Sequence, residues 1–586
     1  MSGSASSSAQ NDDTSLSLCE LRRRTAKPLL HSVVDIYKSH RKSNDKSIQF
    51  WKDLKCYSPQ HFDTERRIQD FQPSDRIPLE LHSAENGYVA LSYCWKPSKG
   101  ESKKRKKYRI ASEMEKRLKV RDIVLDRTFR FIRYKQACGA MLPLWIDQLS
   151  IEQEGTPEKD IAMQSMDLVY KKCTYAVGYL WTQLQTQIEM DRLSDLLSGR
   201  IVQRNFVEGN PTLIDGINNE VVREVLNVLT RITNDIWWTR AWIFQEDYLA
   251  GKQMWLMMRH VPALRKPLGH GELGSLRGEV VVRSDELKTY ATLFCLACYD
   301  TMRQDLDIIE QCMEVLRKAG KYNILHKYQY AKVDRRSMTI RIFKDLDRRV
   351  SKYRTDLLPI VANVCSYDVR LATKEKGFKR QSLSLSILAL YIANGELLAN
   401  LRGGNELENN VFEFLRKNSL RICAPLPDGE LTLIKHCRLS AYLECTGPSS
   451  THDDWPPQHS MNAMASSVVD AMDTGKYLQL ARPIGGSLDL GRGVPYRAIL
   501  VWDRNDLQSV GSTYVFTSWS RTNKRNKGIM ETRKIAKYVS LVVYVDEGVG
   551  NGAVRLKSKR WINGLCFFGG EKKFPFVFEW PESLSQ

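Results

Sequence analysis

Three short apolar runs, with longer and more polar segments between them, constrain this chain more than any other feature. They lie at 87–95, 141–146 and 174–181. Each is short, rich in β-branched and aromatic residues and free of charge, as a strand buried on both faces must be. The intervening segments have helical texture. Residues 120–138 repeat apolar positions at helical spacing. After Thr156, a plausible N-cap, Pro157 sits at a first helical position, with Glu158 and Asp160 in the first turn. Ala162, Met166, Val169 and Cys173 then keep helical spacing. Strand, helix, strand, helix, strand predicts an α/β domain with a parallel sheet flanked by helices.

The rest of the chain divides by texture. Residues 1–20 read as a disordered tail, and 21–86 as a helical or irregular segment with a helix near 29–47. The α/β domain spans 87–250, with a basic insert at 96–109 and a helical insert at 184–235. A Gly-rich basic linker at 251–284 follows. A helical region at 285–415 includes 285–320 and the near-apolar 383–393. A β-rich region occupies 416–586, with strands expected at 430–445, 477–481, 498–503, 513–519, 538–546 and 574–579.

Composition excludes some classes. No uncharged apolar run is long enough to cross a membrane as a helix. The first residues lack the basic and apolar regions of a secretory signal. The 13 cysteines follow no framework spacing, so free thiols in a cytoplasmic setting are expected. Cys295-x-x-Cys298 stands alone inside an apolar helix pattern, so a core role outweighs a metal or redox one. No metal site is expected. The net charge of +20 and the run Lys103–Lys107 leave a solvated loop, a nuclear address or a contact with nucleic acid or an anionic surface open. P-loop, HExxH and GxSxG patterns are absent, and no GxGxxG is placed after an expected strand.

Chemistry is expected where the strands end. In an open parallel sheet, ligands bind outside the carboxyl ends of the strands. Ser92, Tyr93 and Trp95 close the first run, and Asp147 closes the second. A third block, Trp237-Trp-Thr-Arg-Ala-Trp-Ile-Phe-Gln-Glu246, packs three tryptophans, Arg240 and a carboxylate into ten residues. As one helix it sets Trp238, Trp242 and Glu246 on a single face. Desolvation by the indoles would raise the pKa of Glu246. Carboxylates among aromatic faces suit a ligand with a cationic ring. The bland alternative makes the tryptophans core anchors, and Glu246 a cap or a partner of Arg240.

Three blocks together resemble one family. They are Tyr88-Val-Ala-Leu-Ser-Tyr-Cys-Trp95, then Leu144-Trp-Ile-Asp-Gln-Leu-Ser-Ile-Glu-Gln153 with Met166 and Tyr170 downstream, and Arg240-Ala-Trp-Ile-Phe-Gln-Glu246. Their order and content resemble the fungal heterokaryon incompatibility (HET) domain over about residues 85–250. The chain departs from the family pattern at Lys96, where glycine is usual, and at Gln148 and Ser150, where alanine and cysteine are usual. Ser150 rules out a thiol nucleophile there. The resemblance implies nonself recognition and regulated cell death. HET domains are in turn distantly similar to Toll/interleukin-1 receptor (TIR) domains, in which a glutamate cleaves NAD. By that likeness Glu246 matches the glutamate, and Trp242 the preceding tryptophan.

Two functions follow as expectations. In the first, the domain is an NAD glycohydrolase with NAD as substrate and no bound cofactor. Glu246 and Asp147 are then the catalytic candidates, and Ser92, Tyr93, Trp95, Arg240 and Trp242 contact substrate. In the second, the domain is a non-enzymatic module that triggers cell death by self-association or by binding a protein partner.

Overall fold

A computed structural model describes residues 12–43, 45–59, 77–98, 101–104, 107–111, 118–136, 141–151, 157–203, 211–267, 271–321, 324–325, 338–365, 367, 369–375, 377–394, 398, 406–418 and 422–423. It also describes the backbone of 499–502, 513–523, 534–546, 554–563 and 576–578. The chain forms two compact units, one of residues 44–333 with 349–351 and one of the remainder.

The first unit is an eight-stranded sheet with helices on both faces. Its elements in chain order are α1 (Asp45–Lys52), β1 (Cys56–Pro59), β2 (Ile77–His82), β3 (Val89–Tyr93), β4 (Tyr108–Ile110), α2 (Asp122–Lys135), β5 (Leu144–Trp145), α3 (Asp147–Ser150), α4 (Pro157–Gln164), α5 (Met166–Lys172) and β6 (Tyr175–Leu184). There follow α6 (Gln187–Leu197), α7 (Asn219–Thr233), α8 (Ile236–Thr239), α9 (Ala241–Ala250), β7 (Met254–His260), β8 (Glu279–Arg283), α10 (Ser284–Thr301) and α11 (Leu306–Ala319). The sheet order is β4-β2-β1-β5-β3-β6-β7-β8. Pairing is parallel from β5 through β3 and β6 to β7.

That order positions the site. From β3 the chain crosses through α2 to β5 on one side. It then returns through α3, α4 and α5 to β6 on the other side. The carboxyl ends of β3 and its neighbours therefore lie at a topological switch point, where two connections diverge and leave a crevice.

The parallel strands are buried on both faces. Val89, Leu91 and Tyr93 of β3 join the core under α2, with Val124, Leu125, Phe129 and Ile132. Tyr88, Ala90 and Cys94 join the opposite, helix-rich core, with Trp145, Tyr170, Trp237 and Trp238. Successive side chains alternate between faces, so Ser92 points with Ala90 toward the helix-rich side.

α2 is fixed to the sheet by charge as well as packing. Arg127 donates to both Glu279 carboxylate oxygens at 2.5 Å and stacks 3.8 Å from the Tyr179 ring centroid. Both side chains of the ion pair are 2% exposed. Removing one partner of a buried pair leaves the other charge uncompensated. Glu279→Gln is therefore expected to destabilise this unit by about 3–5 kcal/mol, read as a fall in its urea midpoint. An unchanged midpoint would contradict this account of how α2 is held.

Several expected boundaries need correction. Residues 251–284 are not a linker, because β7 and β8 complete the sheet there. Residues 21–86 are not merely helical or irregular, because β1 and β2 extend the sheet beyond β5. The helix expected over 285–320 is two helices, with Asp305 capping the second through the Ile308 amide at 3.2 Å. The expected tail at 1–20 lies outside the described residues up to 11, while Leu18–Thr25 is a helix capped by Ser17. The Thr156 cap also lies outside the described residues. Cys295, Cys298 and Cys312 are all fully buried across α10 and α11, and burial pushes the Cys295 thiol well up.

The second unit contains the helices Leu29–His40, Met338–Asp347, Leu357–Val364, Leu383–Ala393 and Val411–Asn418. The helix expected at 383–393 has those same bounds. A separate sheet in this unit has Ile499–Trp502, Thr513–Asn523, Lys534–Asp546 and Val554–Asn563 as successive antiparallel neighbours. The strands expected at 430–445 and 477–481 lie outside the described residues. Among the described residues, no helix is long and apolar enough to cross a membrane.

Candidate functional site

The tryptophan segment is two helices, not one. Asp235 caps α8 by accepting the Trp237 amide at 2.9 Å. Arg240 is extended, at φ −85° and ψ 137°. Its neighbours pair with a distant residue: the Val350 amide donates to the Thr239 carbonyl at 2.8 Å, and the Ala241 amide to the Val350 carbonyl at 3.0 Å. These bonds replace the helical ones that would have joined α8 to α9. Trp238 therefore does not share a helix face with Glu246. Trp242 and Glu246, one turn apart on α9, still do.

The break turns α9 so that Glu246 faces the end of β3. Its carboxyl lies beside the hydroxyls of Ser92 and Tyr170, and both Asp147 and Arg240 are near enough to act on its charge. Glu246 is 8% exposed. Burial, reinforced by the Asp147 charge, pushes its pKa up to about 7. The Ser92 hydroxyl, the Arg240 charge and the Tyr170 hydroxyl oppose that shift without cancelling it.

Asp147 opens α3 directly after β5. It accepts from the Trp95 indole at 2.8 Å and from the Gln148 amide at 2.7 Å. Desolvation pushes its pKa up to about 6, against those bonds and the Arg240 charge. Arg240 donates to the Tyr93 carbonyl at 3.0 Å. That bond ties the helix break to the strand end.

The sheet thus brings Ser92, Asp147, Arg240 and Glu246 together. Trp95 joins them through Asp147 and is 39% exposed, so it offers a face for stacking. Trp242 is half-buried against the helix-rich core. Tyr93 contributes its carbonyl, but its ring lies on the opposite face of the sheet, where its hydroxyl donates to the Gln148 side chain at 2.5 Å. The two departures in the second block have local partners. Gln148 receives Tyr93, and the Ser150 hydroxyl donates to the Lys55 carbonyl at 2.7 Å.

Two residues of the site carried no sequence signal of their own. Tyr170 donates to the Leu91 carbonyl at 3.1 Å while also facing Glu246. Trp237, fully buried, donates its indole N–H to the Ser92 hydroxyl at 3.0 Å. Tyr170 lay within the second block as a spacing marker. Trp237 was one of three tryptophans with nothing to single it out.

A clamp fixes the turn after β3. The Arg121 guanidinium, 1% exposed at its side chain, donates to the Trp95 carbonyl at 2.5 Å and the Cys94 carbonyl at 3.2 Å. It pairs with Glu101 at 3.0 Å. The basic insert is thus anchored at Glu101. Lys103 and Lys104 are exposed, whereas Lys107 pairs with Asp126 at 2.7 Å. Residues 105 and 106 lie outside the described residues. Among the described residues, no group of three or more His, Cys, Asp or Glu side chains is placed to hold a metal ion.

Residues 88–246 match the family model described as heterokaryon incompatibility protein (HET). Residues 88–246 are a HET domain. The matched span starts at Tyr88, beside β3, and ends at Glu246, so it encloses every residue of the constellation. No curated protein and no solved structure matches the chain. The HET segment accounts for β3 to α9. β1, β2, β7 and β8, which complete the same sheet, lie outside the match.

Proposed function

We propose that this HET domain cleaves the nicotinamide–ribose bond of NAD at Glu246, and that the resulting NAD loss drives regulated cell death in nonself recognition. One observation carries the reading. A buried carboxyl that titrates near neutrality stands beside a second carboxyl, at the switch point of a parallel sheet. The distant likeness of HET to TIR domains supports the same chemistry.

The reaction balances as follows. The C–N bond breaks and its electron pair goes to the pyridinium nitrogen, which leaves as neutral nicotinamide. The ribose carbon becomes oxocarbenium-like. Water adds to it and loses one proton. Ionised Glu246 stabilises the developing cation and receives that proton. Trp95 and Trp242 offer aromatic faces to the rings. Ser92, Asp147 and the carbonyl-anchored Arg240 orient the ribose and its phosphate.

Incubation of the purified chain with NAD is expected to yield equimolar nicotinamide and ADP-ribose, resolved by chromatography. Intact NAD after incubation with both dilute and concentrated protein would overturn the proposal.

A non-enzymatic reading is favoured by a different observation. Ile236 and Val350, which flank the Arg240 break, are 38% and 68% exposed. Apolar side chains left at the surface suit a second copy or a protein partner. In that reading Glu246 is structural, and cell death survives its substitution.

A further inference from the structure

We propose that Trp237 is a positioning residue for Glu246, acting through Ser92, and that Gly178 is the sheet position that admits it. The proposal rests on the reading of Glu246 as the reacting carboxylate.

The argument begins with donors and acceptors. An indole N–H only donates. At 3.0 Å from Ser92 Oγ it occupies one lone pair of that hydroxyl. Trp237 is fully buried and Ser92 is 1% exposed. The hydroxyl has one proton to give. With Trp237 as its fixed donor, that proton is left to point toward the Glu246 carboxyl, which lies beside Ser92 and feels its hydroxyl. A hydroxyl locked as a donor favours the ionised carboxylate over the acid.

The indole is held in place from three sides. Asp235 fixes the Trp237 backbone, and its other oxygen accepts from the Thr182 amide at 2.6 Å and hydroxyl at 2.8 Å. Trp238 meets the Trp237 ring edge-on, with centroids 4.9 Å apart. Beneath the ring lies Gly178, the residue paired with Ser92 across the β3–β6 ladder. A Cβ on Gly178 would stand 2.8 Å from Trp237 Cζ2 and 3.1 Å from Cε2. Any side chain there displaces the ring whose N–H reaches Ser92.

The other titratable or charged groups facing Glu246 are Tyr170 from α5, Asp147 from α3, Arg240 before α9 and Cys94 after β3. None of them touches Trp237 in the chain of bonds described, so removal of the indole donor acts through Ser92.

The test uses Trp237→Phe in the full chain, which keeps an aromatic ring and deletes the donor. A hydrogen bond worth about 1 kcal/mol corresponds to roughly a fivefold change. The acidic limb of nicotinamide release is therefore expected to move up by about 0.7 pH unit. At pH 6, kcat falls about fivefold. At pH 9 it equals the wild type, and KM for NAD is unchanged at both pH values. A merely structural role would lower kcat equally at every pH, and that result would overturn the proposal. So would an unmoved limb.

A second readout does not depend on turnover. The Glu246-dependent fall in melting temperature with pH, obtained by comparing each background with and without Glu246→Gln, is expected to shift upward by the same amount in Trp237→Phe. If NAD is not hydrolysed but this shift appears, the positioning chain stands and the enzymatic reading fails. If the shift is absent, the positioning chain fails whatever the activity. Ser92→Ala breaks the same link with Trp237 in place, and must give the same shift should Trp237→Phe not fold.

Discussion

At pH 8, Glu246→Gln is expected to make the sheet-bearing unit more stable than the wild type, by about 3 kcal/mol. The sign follows from the direction of the shift. Burial raises the Glu246 pKa from 4.5 to about 7. The native state therefore holds this proton more tightly than the unfolded state does. Between pH 4.5 and about 7 the native state binds more protons, so stability falls as pH rises through that window and is level above it. Below pH 4.5 the contribution is fully present. Asp147 acts in the same direction between 3.8 and about 6. Glutamine cannot ionise and retains its stability at pH 8. Melting curves of the two proteins at pH 5 and pH 8 check this. The variant should show a clearly shallower loss between the two. Parallel curves, or a variant less stable at pH 8, would remove the premise that Glu246 is buried at a cost.

A residue whose removal stabilises the fold invites a functional explanation, since strain kept at one position is a common mark of an active site. The second large effect is accordingly kinetic. Glu246→Gln keeps the shape and part of the hydrogen bonding, but offers no negative charge and no proton acceptor. General acid–base and electrostatic contributions of one group are typically worth about 10²–10⁴ in rate. Nicotinamide release is expected to fall by at least that range, with kcat bearing the loss. Wild-type activity should rise with pH through about 7, as Glu246 ionises. A profile flat from pH 5 to 8 would assign the chemistry elsewhere.

The central parallel strands were legible because burial on both faces leaves continuous apolar runs, and 87–95, 141–146 and 174–181 have that character. Their ends supplied Ser92 and Asp147, and the third block supplied Arg240 and Glu246. What sequence did not reveal depends on distant partners. The break at Arg240 arises from Val350, which lies 110 positions away. No local pattern in a run of good helix formers signals it. The Trp237–Ser92 bond spans 145 positions. β7 was masked by a methionine-rich run beside basic, Gly-rich sequence. β2 did alternate, with Ile77 and Leu79 buried and Leu81 exposed, but only four residues of β1 mark its neighbour. Tyr93 illustrates a limit of reading strand ends: adjacent residues face opposite sides, so Ser92 and Tyr93 cannot both present side chains to one site.

The most direct test of the central claim is nicotinamide release by the wild type and Glu246→Gln, side by side at pH 8, on samples shown by melting to be folded. The account predicts release by the wild type and a loss of at least about a hundredfold in the variant, although the variant is the more stable protein. Equal release by the two would contradict it.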